Sequence, residues 1–238
     1  MPTRIALGCI EAEVVFKDIR NVHLTVLPPN GRVRISAPAH MALDTVRVFA
    51  LSKLAWIKGQ RKSMGEQERE PSREYLERES HYVWGRRYLL KLVETDGAPM
   101  VSLRHRTLVL AIKNGADQAT RRAVLSRWYR DQLRERASSL VTDWSCRLGL
   151  DAPRLYVQHM KTKWGSCSPI RCSIRLNTEL AKKPPGCLEY IVVHELVHLL
   201  EPTHNEHFKA LMRTFLPEWE DRRRELNALP IRYEHWSY

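Results

Sequence analysis

Several chemistries are missing from this sequence. It contains no G-x-x-x-x-G-K-[ST] loop and no G-x-G-x-x-G fingerprint, which removes the common backbone cradles for nucleotide phosphates. There is no G-x-S-x-G elbow, and Cys167 has no cysteine-protease context, so a side-chain nucleophile is not the expected catalyst. The five cysteines, at 9, 146, 167, 172 and 187, form no C-x-x-C pair; Cys167 and Cys172 lie five apart with no matching second pair. No apolar run reaches the length of a membrane span, and the opening MPTRIALGCIEAEV lacks the apolar core of a secretory signal. With an odd cysteine count, these absences predict reduced thiols, a cytoplasmic location and no membrane partner. No internal repeat is visible.

What is present describes a globular protein. The 238 residues, 43% hydrophobic and 28% charged, suffice for one large domain or two small ones. Lys and Arg exceed Asp and Glu by 39 to 27, a net charge of +12. That excess suits an acidic partner such as nucleic acid or a nucleotide, although the arginines are spread along the chain as on a generally basic surface.

The first third reads as strands followed by a helix. Glu13–Phe16, Val22–Leu27 and Val33–Ser36 are β-type runs, with Pro28-Pro29-Asn30-Gly31 as a turn between the last two. Val46, Phe49, Ala50, Leu54 and Ile57 recur at helical spacing and predict one amphipathic helix over Leu43–Lys62. Gln60 to Ser80 is charge-rich and reads as a solvated connection. Strand character returns at Tyr88–Val93, Val101–Leu103 and Thr107–Ile112. A long helix then runs to about Leu148, its apolar stripe including Leu125, Tyr129, Leu133, Ala137, Val141 and Trp144, and Gly149 ends it. Short runs at Leu155–Val157 and Cys172–Leu176 flank a loop from Lys161 to Cys167.

The chemistry concentrates in the stretch from Cys187 to Phe208. His194-Glu195-Leu196-Val197-His198 is an H-E-x-x-H pattern in an apolar run started by Pro184-Pro185. Residues i and i+4 share a helix face, so both imidazoles can hold one metal ion from the same side, with Glu195 placed beside its water. Pro202 stops the helix near Leu200, and a short turn brings back His204. Thr203 and Glu206 form a capping-box pattern that predicts a new helix with His204 in its first turn. Three histidines with an open fourth position make a catalytic zinc site, not a closed structural one. The plain alternative is a chance match on an ordinary helix, but unpaired His and Glu are costly to bury on an apolar one. His207 is the rival third ligand, and Glu218 or Glu220 would give a glutamate-ligated variant.

Taken together, these runs resemble a known family. Lys163-Trp164-Gly165-Ser166-Cys167, Ile174-Arg175-Leu176-Asn177, Tyr190 through His198, then His204 and Phe208, look like the YgjP-like branch of SprT-type zinc metallopeptidases. Val33-Arg34-Ile35-Ser36-Ala37-Pro38 and Ala55-Trp56-Ile57 extend the likeness over nearly the whole chain. The resemblance implies an α+β fold: a zincin-like domain with a long backing helix, small sheet, H-E-x-x-H helix and C-terminal helix. It assigns His194, His198 and His204 to one zinc ion and Glu195 to catalysis. The expected division is a β-rich N-terminal region, 1–115, with one amphipathic helix, and a zincin-like catalytic domain, 116–238. The H-x5-H spacing is shared with metzincins, but Glu201 stands where they carry a turn glycine, and no convincing Met-turn follows.

The expected function is a zinc metallopeptidase, with Glu195 as general base on an activated water. Lys161, Lys163, Tyr190 and His207 are candidate oxyanion donors. Lys161, Lys163, Trp164, Arg175 and Asn177 are the candidate substrate contacts, and Cys172–Leu176 is a strand that a peptide could pair with. The alternatives are a zinc nucleotide phosphohydrolase using Lys161, Lys163 and Arg175, or a nucleic-acid-associated module keeping its metal for stability.

Overall fold

The computed structural model describes residues 3–27, 31–66, 73–161 and 163–230. Pro28, Pro29 and Asn30 of the expected turn, and residues 67–72 of the charged connection, lie outside the described residues. Two compact units divide the chain, one running to Pro71 and the other spanning Ser72–Leu229.

In the first unit, β1 (Thr3–Leu7), β2 (Ile10–Lys17), β3 (His23–Leu27) and β4 (Arg32–Pro38) form a sheet in the order β1-β2-β4-β3. The central pair is parallel, with Val14 opposite Ile35, and both outer pairs are antiparallel. Strand alternation gathers Ile10, Ala12 and Val14 with Val33, Ile35 and Ala37 in one buried cluster. Helices α1 (Leu43–Ser52) and α2 (Leu54–Glu66) add Val46, Ala50 and Ile57 to that cluster. The single helix expected over Leu43–Lys62 is therefore two. The Ser52 hydroxyl donates to the Phe49 carbonyl at 2.7 Å, and the Lys53 N–H turns back to the Ala50 carbonyl at 3.1 Å, closing α1 in a tightened last turn.

The second unit begins with a sheet of the same plan. Strands β5 (Ser80–Val83), β6 (Arg86–Glu94), β7 (Met100–Arg104) and β8 (Thr107–Ile112) are ordered β5-β6-β8-β7, again with a parallel central pair. The repeat is one of topology, which explains why no sequence repeat is visible. Helix α3 (Gln118–Leu148) follows, 31 residues and about 46 Å long. Asp117 caps it by accepting from the Thr120 N–H at 2.8 Å, and Gly149, at φ 67°, ends it in the left-handed conformation. Leu125 at its start packs with Leu90, Leu108 and Leu110. Tyr129, Leu133, Ala137, Val141 and Trp144 further along pack into the main core. Because one helix serves both clusters, the β5–β8 sheet belongs to the same unit as the downstream residues. The division between the compact units thus falls after Pro71.

A three-stranded sheet comes next, formed by β9 (Arg154–Gln158), β10 (Gly165–Ser168) and β11 (Ser173–Asn177) in the order β10-β11-β9. A 3-10 turn over Thr178–Lys182 leads into α4 (Pro185–Leu200), and α5 (Glu206–Phe215) and α6 (Trp219–Ala228) complete the unit. The Trp84 and Gly85 N–H groups, at the β5–β6 turn, donate to the Ala181 and Lys182 carbonyls at 2.9 and 3.1 Å and tie down the approach to α4. Fold class is mixed α+β, as expected.

Leu133 sits fully buried at the middle of α3. Leu133→Ala is expected to lower unfolding free energy by about 2–5 kcal/mol, read as an earlier denaturant midpoint. Arg134→Ala, one residue on and exposed, is the control and should stay within about 0.5 kcal/mol.

Candidate metal centre and active site

Helix α4 is apolar on nearly all sides. Cys187, Leu188, Ile191, Val192, Val193, Leu196 and Val197 are buried, leaving His194 and His198 half-buried on the remaining face. The helix ends at Leu200, as Pro202 requires. The turn is organised by Glu201: its carbonyl oxygen lies 3.0 Å from His198 Nδ1, and its carboxylate accepts from the Thr203 N–H (3.1 Å) and hydroxyl (2.8 Å). Thr203 is consequently not a helix cap. Asn205 caps α5 instead, accepting from the Phe208 N–H at 2.9 Å, so His204 stands in the turn before the helix rather than in its first turn.

The imidazoles of His194, His198 and His204 converge. His204 Nε2 lies 3.1 Å from both His194 Nε2 and His198 Nε2. A carbonyl can only accept, so His198 donates from Nδ1 to Glu201, and Nε2 is the nitrogen left to face the cluster. His204 has one hydrogen at most to share between two neighbours, so these nitrogens cannot satisfy each other. One cation can satisfy all three, and tetrahedral zinc ligands at 2.0–2.1 Å would stand about 3.3 Å apart. The donor set fits such an ion. Phe208 floors the cluster, its ring centroid 4.7–5.0 Å from all three imidazoles. Burial, then the His198, His204 and Arg223 charges, push His194 down to about 3, which keeps it neutral and able to ligate. Among the described residues this is the one such group of His, Cys, Asp and Glu, and neither His207 nor Glu218 nor Glu220 joins it.

Glu195 is buried beneath β10. Gly165 leaves room for it: a Cβ there would stand 2.6 Å from Glu195 Oε1 and 2.8 Å from its Cγ. Burial raises the carboxyl to about 7, opposed by the charge of Lys163. Cys167 shares the Gly165 side of β10; burial, then Glu195 and Cys172, push its thiol up to about 11, so it is protonated and unreactive.

The remaining candidate contacts separate. Asn177 is internal: its amide donates to the Met160 and Lys163 carbonyls (both 2.8 Å) and its oxygen accepts from the Glu179 N–H (3.2 Å), holding the preceding loop in place. Trp164 is half-buried against the main core, with Lys183 Nζ 5.9 Å from its ring centroid. Arg175 pairs in register with Ser166 and Tyr156, on the sheet face opposite Ile174 and Leu176, which are buried in the core with α4. Lys161 and Lys163 are exposed. Strand β11, expected to receive a peptide, has β10 on one side and β9 on the other, so it has no free edge. Among the described strands β10 and β9 are the two edges of this sheet, and β10 is the one that passes over Glu195. Sequence reading missed β10 because Gly-Ser-Cys-Ser has little strand propensity; the signal was the glycine, there for close approach.

Residues 20–229 match the family model described as YgjP-like, metallopeptidase domain. None of the curated proteins matches the chain. Solved structures similar to it include the metallopeptidase zymogen of Methanocaldococcus jannaschii jannalysin, at 22% identity and TM-score 0.34, covering 38% of this chain and 92% of that one. Another is the metallopeptidase zymogen of Pyrococcus abyssi abylysin, at 22% and 0.35, covering 40% and 98%.

Two outcomes follow from the Glu195 environment. Gly165→Ala should displace the carboxylate and lower turnover at least tenfold, while metal content measured by atomic absorption stays the same. In the metal-free protein, folding retains a proton on Glu195 that the unfolded chain, at 4.5, releases. This group therefore makes stability fall as pH rises from about 4.5 to about 7. Denaturation midpoints across that range should lose this slope in Glu195→Gln.

Proposed function

This chain belongs to the YgjP-like metallopeptidase family, and on that premise we propose that it is a zinc-dependent peptidase with His194, His198 and His204 as metal ligands and Glu195 as general base. The observation that carries the reading is the convergence of three imidazole nitrogens, two of them on the helix that also carries a buried carboxyl. A zinc ion held there would supply Lewis acidity, bringing a coordinated water towards pKa 7 and polarising a carbonyl.

The residues of the chain do the rest. Glu195, near 7, is matched to accept a proton from the attacking water at an Oε atom and return it to the leaving amine. Lys163 carries its charge close to that carboxyl and favours its ionised form. The buried helix and Phe208 exclude water from one side of the cluster. The open edge of β10 offers backbone donors and acceptors to an extended peptide, the β-addition mode, next to Glu195. Tyr190, one turn before His194 with its ring 5.7 Å away, is the oxyanion candidate with the strongest support.

Zinc content and turnover test the assignment. His204→Ala should lose most of the metal, whereas His207→Ala should keep it; the reverse pattern would exchange their roles. Glu195→Gln should bind zinc at wild-type stoichiometry and cleave peptides slower by at least about a thousandfold, on the scale of a lost general base. Full activity in that variant would refute the mechanism.

A further inference from the structure

The β5–β8 sheet has two edge strands, β5 and β7, and they are treated differently. Each belongs to a hairpin that turns on two residues, Trp84-Gly85 and His105-Arg106. Residues flanking such a turn exchange their backbone hydrogen bonds, and bonding alternates from there. Every second residue therefore directs its N–H and C=O away from the partner strand. On β5 these residues are Ser80 and Tyr82, and both carbonyls are taken. Arg73 donates to that of Ser80, and the Tyr129 hydroxyl donates to that of Tyr82 at 2.9 Å. Side chains close this edge.

The β7 edge is bare. Its outward residues are Val101 and Leu103, and among the described residues none outside the sheet hydrogen-bonds to the strand. It also lacks the usual guards of a free edge: register with β8 is unbroken from Met100 to Arg104, with no bulge, no proline and no charge before Arg104. Met100 is 62% exposed and Leu103 37%. Pro99 on one side and the His105-Arg106 turn on the other limit what can pair to the five residues Met100-Val101-Ser102-Leu103-Arg104.

That five-residue strand is complementary to itself. Laid antiparallel on a second copy with Ser102 opposite Ser102, Val101 meets Leu103 of the second copy through their outward backbone groups. Both lie on the sheet face of Leu108 and Leu110, which is the buried one. Met100 meets Arg104 of the second copy on the other face, so no charge faces a like charge. Val93, Ala111 and Met100 form an apolar row across that face, and the aliphatic stem of the opposing arginine extends it. We propose that β7 is a dimerisation edge, at which two copies of this chain pair their β7 strands about a two-fold axis at Ser102 and join two four-stranded sheets into one. The histidine cluster takes no part in this contact, so the proposal is independent of the peptidase reading.

Sedimentation velocity on the zinc-loaded full chain tests it, over a dilution series up to about 1 mM. A monomer–dimer equilibrium is expected. Ser102→Lys sets two like charges across the axis and should weaken the dimer at least about tenfold, while Ser102→Thr, which keeps the strand preference, should retain it. Circular dichroism and zinc content should match the wild type in both. Residues opposed without hydrogen bonds stand about 4.5 Å apart at Cα, within disulfide reach. Ser102→Cys should therefore form a 102-to-102 cross-link under oxidised glutathione, located by peptide mapping, whereas Met100→Cys, which faces Arg104, should not cross-link to itself. A chain that stays monomeric throughout the series overturns the proposal. So does a dimer indifferent to Ser102→Lys, or one in which Met100→Cys cross-links as readily as Ser102→Cys.

Discussion

Burying ionisable groups on an otherwise apolar helix is the constraint around which the second unit is built. Glu195 is nearly inaccessible and His194 is half-buried, on a helix whose other members are mostly Val, Leu and Ile. An isolated charge in such surroundings costs several kcal/mol, so the groups go neutral or find partners. His194 is pushed down and Glu195 up, both towards the uncharged form. The surrounding elements then supply what neutrality alone does not: the Glu201 carbonyl orients His198, and Gly165 leaves space for the carboxylate of Glu195.

The scaffold holds this arrangement through one long element. Helix α3 packs its first turns with the β5–β8 sheet and its remaining length with α4, the 3-10 turn before it and β9, so a single 31-residue helix belongs to two clusters. The β5–β8 sheet repeats the order and the parallel central pair of the β1–β4 sheet. The two differ in what covers them: α1 and α2 pack on the first, and the start of α3 packs on the second. A shared topology with no visible sequence repeat is what alternation alone can produce, since the pattern of apolar residues specifies a sheet without specifying the residues.

Charge is distributed with more discrimination than the net excess of +12 suggests. Arg222 and Arg224 are neutralised on their own helix, Arg32 and Arg34 converge on Glu13, and Arg175 lies over the Tyr156 ring on the far face of its sheet. Two cations, Lys163 and Arg223, direct their fields at the histidine and glutamate cluster.

The metal-centre motif was legible in the sequence because its chemistry is local. An i, i+4 histidine pair shares a helix face by geometry, and Pro202 ends that helix wherever it is placed, so His194, Glu195, His198 and the returning His204 could be read from spacing. Most strands and helices followed from periodicity in the same way, whereas the α+β class came with the family resemblance. Long-range packing was not legible. That Asn177 spends its amide on the Met160 and Lys163 carbonyls, that β11 is enclosed while β10 keeps a free edge, and that Arg175 turns away from α4 all depend on which strands pair. The capping pattern Thr203–Glu206 failed for a related reason: Asn205 competed for the cap, and the Glu201 carboxylate took the Thr203 hydroxyl. Sequence spacing determines which residues share an element's face; only tertiary contact decides what that face meets, because neighbours distant in the chain set the partners, the burial and the charge.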